Sequence, residues 1–228
     1  MAQSITTLSV FLSLISGIIP AVFWLWFWLR EDSAHPEPRH YILLSFLFGM
    51  FSVFPAYLAE QSTLKIFGTA LSIVFVWPFV EELMKYFAAY FSSLRSKEYD
   101  EPIDAIMYMI TAALGFAAME NVLFLVNPNF SMMTFLTANM RFVGATLLHS
   151  ITSACVGIFI ARSFNKSKII KLNNLILGLL TAATLHSLFN DFIIKDKGNN
   201  ILTVFAVLWF CAILLLLYFE KIKKNNNK

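Results

Sequence analysis

The stretch IDAIMYMITAALGFAAMENVLFLV, residues 103–126, decides the fold. It is long enough to cross a bilayer as a helix, and its only charged residues are Asp104 near one end and Glu120 near the other. Gly115, Ala117 and Ala118 form a strip of small residues that lets a neighbouring helix come close. Glu120 is costly in hydrocarbon, so this helix is expected to pack against protein around it.

Similar apolar runs lie on both sides. The expected spans are Thr7–Leu29, Tyr41–Ala59, Ile66–Leu94, Ile103–Val126, Met132–Arg162, Ile170–Ile194 and Asn200–Phe219. The fold class is all-α: a polytopic membrane helix bundle of about seven transmembrane helices. Within the fifth run, Asn139, Arg141 and Gly144 suggest an extra short helix or re-entrant piece near Met132–Phe142, then a span from Val143 to Arg162. The first run is too long for a signal-peptide core and no basic residue precedes it, so an uncleaved span is expected. One integral membrane domain is expected over residues 1–228, with a basic tail at 220–228.

Composition agrees. Hydrophobic residues make up 58% and charged residues 14% of the chain, and mean hydropathy is +0.70. A soluble domain of this size exposes far more charge. The net charge of +3 sits in the connections and tail, which speaks for topology and not for nucleic acid. Lys and Arg number 12 on one side of the expected bundle and 3 on the other. The basic side, with the C-terminus, is therefore expected in the cytoplasm. Cys155 and Cys211 lie in apolar runs, where packing is expected, not a disulfide. The aromatics of the first span, Phe23, Trp24, Trp26, Phe27 and Trp28, read mostly as lipid contacts or interfacial belt.

Polar residues inside the spans are the functional candidates, because each ionisable group there costs about 2.5–3.5 kcal/mol on insertion scales. The third span carries Glu81, Glu82 and Lys85, and the fourth Glu120 and Asn121. The fifth carries His149, and the sixth His186, Asn190 and Asp191. At ~1.5 Å per residue, Glu81, Glu120, His149 and His186 lie ~20, ~26, ~20 and ~24 Å from the cytoplasmic ends of their spans. Four helices of alternating direction thus place them in one layer, in the outer half of the membrane. Glu81 and Lys85 share a helix face, as do His186 and Asn190.

Such a layer suits hydrolysis: a carboxylate takes a proton from water, and His or Asn donates to an oxyanion. Two glutamates and two histidines, Glu82, Glu120, His149 and His186, also make a set for a divalent metal such as zinc. Simpler readings stand beside these. Glu82 reads as a structural partner of Lys85, and His149 as a helix–helix hydrogen bond. Asp104 and Asp191 read as capping or interfacial residues, and Arg141 as a snorkelling anchor. Buried Glu and His also build ion-coupled transporters, but no inverted repeat or pair of interrupted helices is visible. A non-catalytic binding or immunity protein of similar architecture is the remaining alternative.

The motifs resemble a known family. Glu81-Glu82-Leu83-Met84-Lys85 is similar to the EExxK motif of PrsW-type intramembrane proteases. Gly115-Phe116-Ala117-Ala118-Met119-Glu120-Asn121 resembles that family's GFAxxEN segment, and Asp104–Tyr108 the stretch leading into it. Arg141 with His149 resembles the third block, His186-Ser187-Leu188-Phe189-Asn190 the closing HxxxN, and Pro36–Arg39 the loop before the second span. The likeness runs from about Pro36 to Asp191. The wider CAAX-protease and bacteriocin-immunity superfamily has EExxxR, FxxxH and HxxxN. Here Lys85 comes one residue early, and Glu120 stands where that superfamily has His.

The resemblance implies an endopeptidase with Glu81 as the water-activating base and His186 and Asn190 as oxyanion donors. His149 would take over work of the missing His. The implied substrate is a single-span, anti-sigma-factor-like membrane protein cut on its extracytoplasmic side. The resemblance favours glutamate-activated water without a cofactor, with the metal-dependent version as alternative.

Overall fold

The computed structural model describes residues 7–31, 36–69, 72–126, 132–196 and 201–226. Seven helical segments follow in order: α1 Thr7–Glu31, α2 Arg39–Phe67, α3 Trp77–Ala89, α4 Pro102–Leu125, α5 Met132–Arg162, α6 Lys168–Asp196 and α7 Ile201–Asn226. Wider π-helical turns, Ser72–Val76 and Tyr90–Leu94, continue α3 at its two ends. Among the described residues there is no strand. Among the described residues, five helices are long and apolar enough to cross a membrane: α1, α2, α4, the Gly144–Arg162 portion of α5, and α6. The other two expected spans fall on α3 with its π turns and on α7.

α4 is the axis of the bundle. In its most apolar stretch 89% of residues are buried, against 22% for α1 and 33% for α2. A helix apolar on every side is buried on every side, whereas a helix with one packed face leaves the rest to lipid. Phe51, Leu58, Leu172, Leu188 and Leu217 are accordingly exposed on the outer helices. The crossing of α2 and α4 explains the small residues. A Cβ on Gly49 would sit 2.0 Å from the Ala112 carbonyl oxygen, and one on Gly115 would sit 2.0 Å from that of Phe46. The two backbones touch where only glycine fits.

Capping chemistry starts α4. Asp104 Oδ2 accepts the backbone N–H groups of Glu101 at 2.7 Å and Asp100 at 3.0 Å, within a capping box completed by the Glu101 side chain. Tyr108 donates a hydrogen bond to Glu37, which ties the loop before α2 to α4.

Two expectations change. The short piece before Val143 is not set apart, because Met132–Arg162 is one helix. Gly144 does not break it; that position faces the Phe205 ring, 3.3 Å from where a Cβ would be. The aromatic belt is also divided. Phe23 and Trp26 are exposed as expected, but Trp24 and Trp28 are buried, and Trp28 stacks on Phe219 of α7 with ring centroids 6.0 Å apart. One face of α1 packs into the bundle, and tryptophans on that face fill it.

Candidate active site

Four helices bring the ionisable residues together. α3 supplies Glu81, Glu82 and Lys85; α4 supplies Glu120; α5 supplies His149; α6 supplies His186. On α3, the i, i+3 and i, i+4 spacings bring Lys85 Nζ to 2.8 Å from Glu82 Oε1 and 3.5 Å from Glu81 Oε2. The same ammonium lies 2.7 Å from His149 Nδ1 and 4.7 Å from the centroid of the Phe116 ring.

The two neighbouring glutamates have different surroundings. Glu82 is fully buried. Its Oε1 meets Lys85, accepts from Thr152 Oγ1 at 2.9 Å and lies 3.2 Å from His186 Nδ1, while its Oε2 accepts from Ser153 at 2.7 Å. A buried charge needs this many partners to offset its desolvation. Glu81 keeps 13% of its side chain exposed and lines a cavity of about 230 Å³.

His186 is held at one ring nitrogen and turned toward Glu81 at the other, whereas His149 is held at both, by Glu120 and by Lys85, with Glu81 just beyond. His149 Nε2 lies 2.9 Å from Glu120 Oε2, and its Nδ1 lies 3.8 Å from Glu81 Oε2. His186 Nδ1 lies 3.2 Å from Glu82, and its Nε2 lies 3.9 Å from Glu81 Oε2. The rings meet edge to face at 5.1 Å between centroids. One donor atom each from Glu81, His149 and His186 falls within 4.8 Å of the other two. One carboxylate and two imidazoles suit zinc, and a carboxylate on the remote nitrogen of each imidazole is how proteins orient such ligands. The donor chemistry therefore fits a divalent ion, with the Lys85 ammonium sharing the same donors. The grouping differs from the expected set of Glu82, Glu120, His149 and His186. Glu82 is already surrounded by four partners, and Glu120 lies against the remote nitrogen of His149. Glu81 takes their place.

The remaining candidates lie farther out. Asn190 is half-buried one turn beyond His186, and no hydrogen bond among the described residues ties it to the carboxylates. Asn121 is buried and donates to Thr146 of α5 at 3.3 Å, a helix–helix contact. Arg141 lies on α5, but its side chain is outside the described residues.

Three participants escaped the sequence reading. Thr152 and Ser153 hold Glu82, yet hydroxyl residues in an apolar helix cost too little to draw notice. Glu60 lines the same cavity as Glu81 and Glu120. Its signal was present: Val53, Ala56 and Glu60 repeat at helical spacing, and Val53 and Ala56 are buried. It was missed because the second span was expected to end at Ala59, whereas α2 runs to Phe67.

Comparison with known proteins places the chain in a family. A sequence family described as "PrsW family intramembrane metalloprotease" matches residues 37–217. The chain is similar to "Protease PrsW" of Geobacillus kaustophilus, 29% identical over 88% of this chain and 89% of the relative. It is 28% identical to "Protease PrsW" of Bacillus subtilis, over 86% of this chain and 89% of the relative. It is also 28% identical to the protein of that name from Halalkalibacterium halodurans, over 95% and 98%. No solved structure matches the chain.

Proposed function

This chain belongs to the PrsW family of intramembrane metalloproteases, and we propose that it hydrolyses a single-span membrane protein with Glu81 as the group that takes the proton from water. The observation that carries the reading is the convergence of one nitrogen from each of His149 and His186 on Glu81, with their other nitrogens against Glu120 and Glu82. Glu81 is the α3 carboxylate that lines the cavity, so it is the one a water and a peptide can reach. Glu82 and Lys85 hold α3 against α5 and α6 and neutralise each other out of water's reach. Glu120 sets the orientation of the His149 ring. His186, with Asn190 one turn away, is the donor pair on the α6 side for a carbonyl oxygen.

In the metal-dependent alternative, the same three donors, Glu81, His149 and His186, would hold the divalent ion that the family description names, with Glu81 a ligand in place of the base. Such an ion, when bound, polarises a carbonyl and makes water more acidic. The substrate class is a membrane-anchored protein of the anti-sigma-factor type, cut near the outer face. The C-terminal tail is cytoplasmic in this reading, as the basic residues require.

Reconstitution tests it. Purified full-length chain in proteoliposomes, given a panel of single-span membrane proteins, is expected to cut at least one. His186→Ala should lose both turnover and bound divalent metal. Cleavage that survives complete metal removal assigns the work to Glu81 without an ion. Wild-type protein that leaves the whole panel intact contradicts the reading.

A further inference from the structure

The cavity beside Glu81 has a carboxylate that the hydrolytic machinery does not use. Glu60 reaches it from α2, which contributes Tyr57 and Glu60 to the lining on adjacent turns. Glu81, Glu82 and Glu120 each have a cationic or imidazole partner within 3.5 Å. Among the described residues, no hydrogen bond or salt bridge reaches the Glu60 carboxylate. Lys85 makes no hydrogen bond or ion pair with it, being held between Glu82 and His149. The rest of the wall is apolar and aromatic: Tyr57, Phe116, Leu123 and Phe124.

We propose that this cavity is a specificity subsite for a lysine or arginine side chain of the substrate, with Glu60 as the residue that selects it. The inference rests on the protease reading above, because Glu81 in the same cavity places the subsite beside the scissile bond. Lysine and arginine have an apolar stem and a cationic head, and the cavity offers the same two surfaces in the same relation. Aromatic rings cover the stem and attract the cation, and the carboxylate meets the head. An acidic side chain there would meet Glu60, Glu81 and Glu120, and like charge rejects it. The volume of about 230 Å³ has room for one such side chain.

The test uses full-length protein in proteoliposomes and a library of single-span reporters whose outer juxtamembrane segment is varied, with products read by mass spectrometry. Wild type should cut reporters with Lys or Arg at one position flanking the cleaved bond about 10–100-fold faster than their Gln or Glu counterparts, the scale of a charge-assisted hydrogen bond. Glu60→Gln should bring the Lys-over-Gln ratio close to one, Glu60→Asp should retain part of it, and Glu60→Lys should lower it below one, while Glu81 and Glu120 still reject acidic residues. Wild-type protein that is indifferent to charge at every flanking position overturns the proposal, whatever the variants do. So does a Glu60→Gln chain that keeps the preference, or one that loses bound metal in place of it. Glu81→Gln run on the same library separates the two claims. If it still cuts at the wild-type rate, Glu81 as the base fails; if it does not while Glu60→Gln keeps the preference, the subsite alone fails.

Discussion

Glu81 and Glu82 are adjacent in sequence and chemically identical, yet the fold gives them opposite work. Glu82 is fully buried and bonded to Lys85, Thr152 and Ser153, with His186 beside it. Removing it takes from the buried Lys85 ammonium its nearest counter-charge, and breaking a buried pair in this way typically costs about 3–5 kcal/mol. Glu82→Ala should therefore fail to yield stable protein or melt far below wild type, and Glu82→Ala with Lys85→Met should recover much of the loss. A Glu82→Ala chain with wild-type melting would remove Glu82 from its structural role. Glu120 predicts a different pattern. It orients His149 across a 2.9 Å contact, so Glu120→Gln should lower turnover about 10–100-fold, the usual scale for losing such a support, while the protein stays folded. Steady-state kinetics on the purified variant would check this. The sequence makes all four of these charges visible, because an ionisable group in an apolar run stands out. Apolar pattern does not by itself separate Glu81 from Glu82; the family resemblance does, by implying Glu81 as the base. Which of two neighbours faces a cavity depends on the rotation of α3 against α5 and α6, a property of packing and not of local pattern.

The crossing of α2 and α4 is where helix packing reaches the site. It puts the Glu60 and Glu120 sides of the cavity together, and Gly49 and Gly115 make it possible by leaving no side chain between the backbones. A methyl group at either position meets a carbonyl oxygen at 2.0 Å, with no flexible side chain to move aside. Gly115→Val should separate the helices, lower the melting temperature and abolish turnover together; a substitution on the exposed face of α2, such as Leu58→Val, should do neither. A Gly115→Val protein with wild-type melting and activity would contradict this account of the crossing. The small-residue strip around Gly115 was legible in the sequence because small residues in a membrane helix have few other uses. The limits of the helices were not: α2 continues eight residues past the expected end at Ala59, and α5 is one helix through Gly144.

Over the whole molecule, the bundle is built around α4, with the chemistry beside it where α3, α5 and α6 meet. The all-helical membrane class was legible from apolar runs alone, and the layer of Glu and His from their common depth. The direction of the bundle rests on the 12-to-3 asymmetry of basic residues. Reporter fusions should place the tail after Lys221 in the cytoplasm and residue 1 outside, and a cytoplasmic N-terminus would invert the assignment. The central claim is that Glu81 activates water in this cavity. Its most direct test is the turnover of purified Glu81→Gln protein in proteoliposomes on a single-span substrate that wild type cuts, with melting recorded on the same preparation. The substitution keeps the shape and removes the base, so turnover should fall about 10²–10⁴-fold while melting stays near wild type. A folded Glu81→Gln protein that cuts at the wild-type rate would contradict the claim.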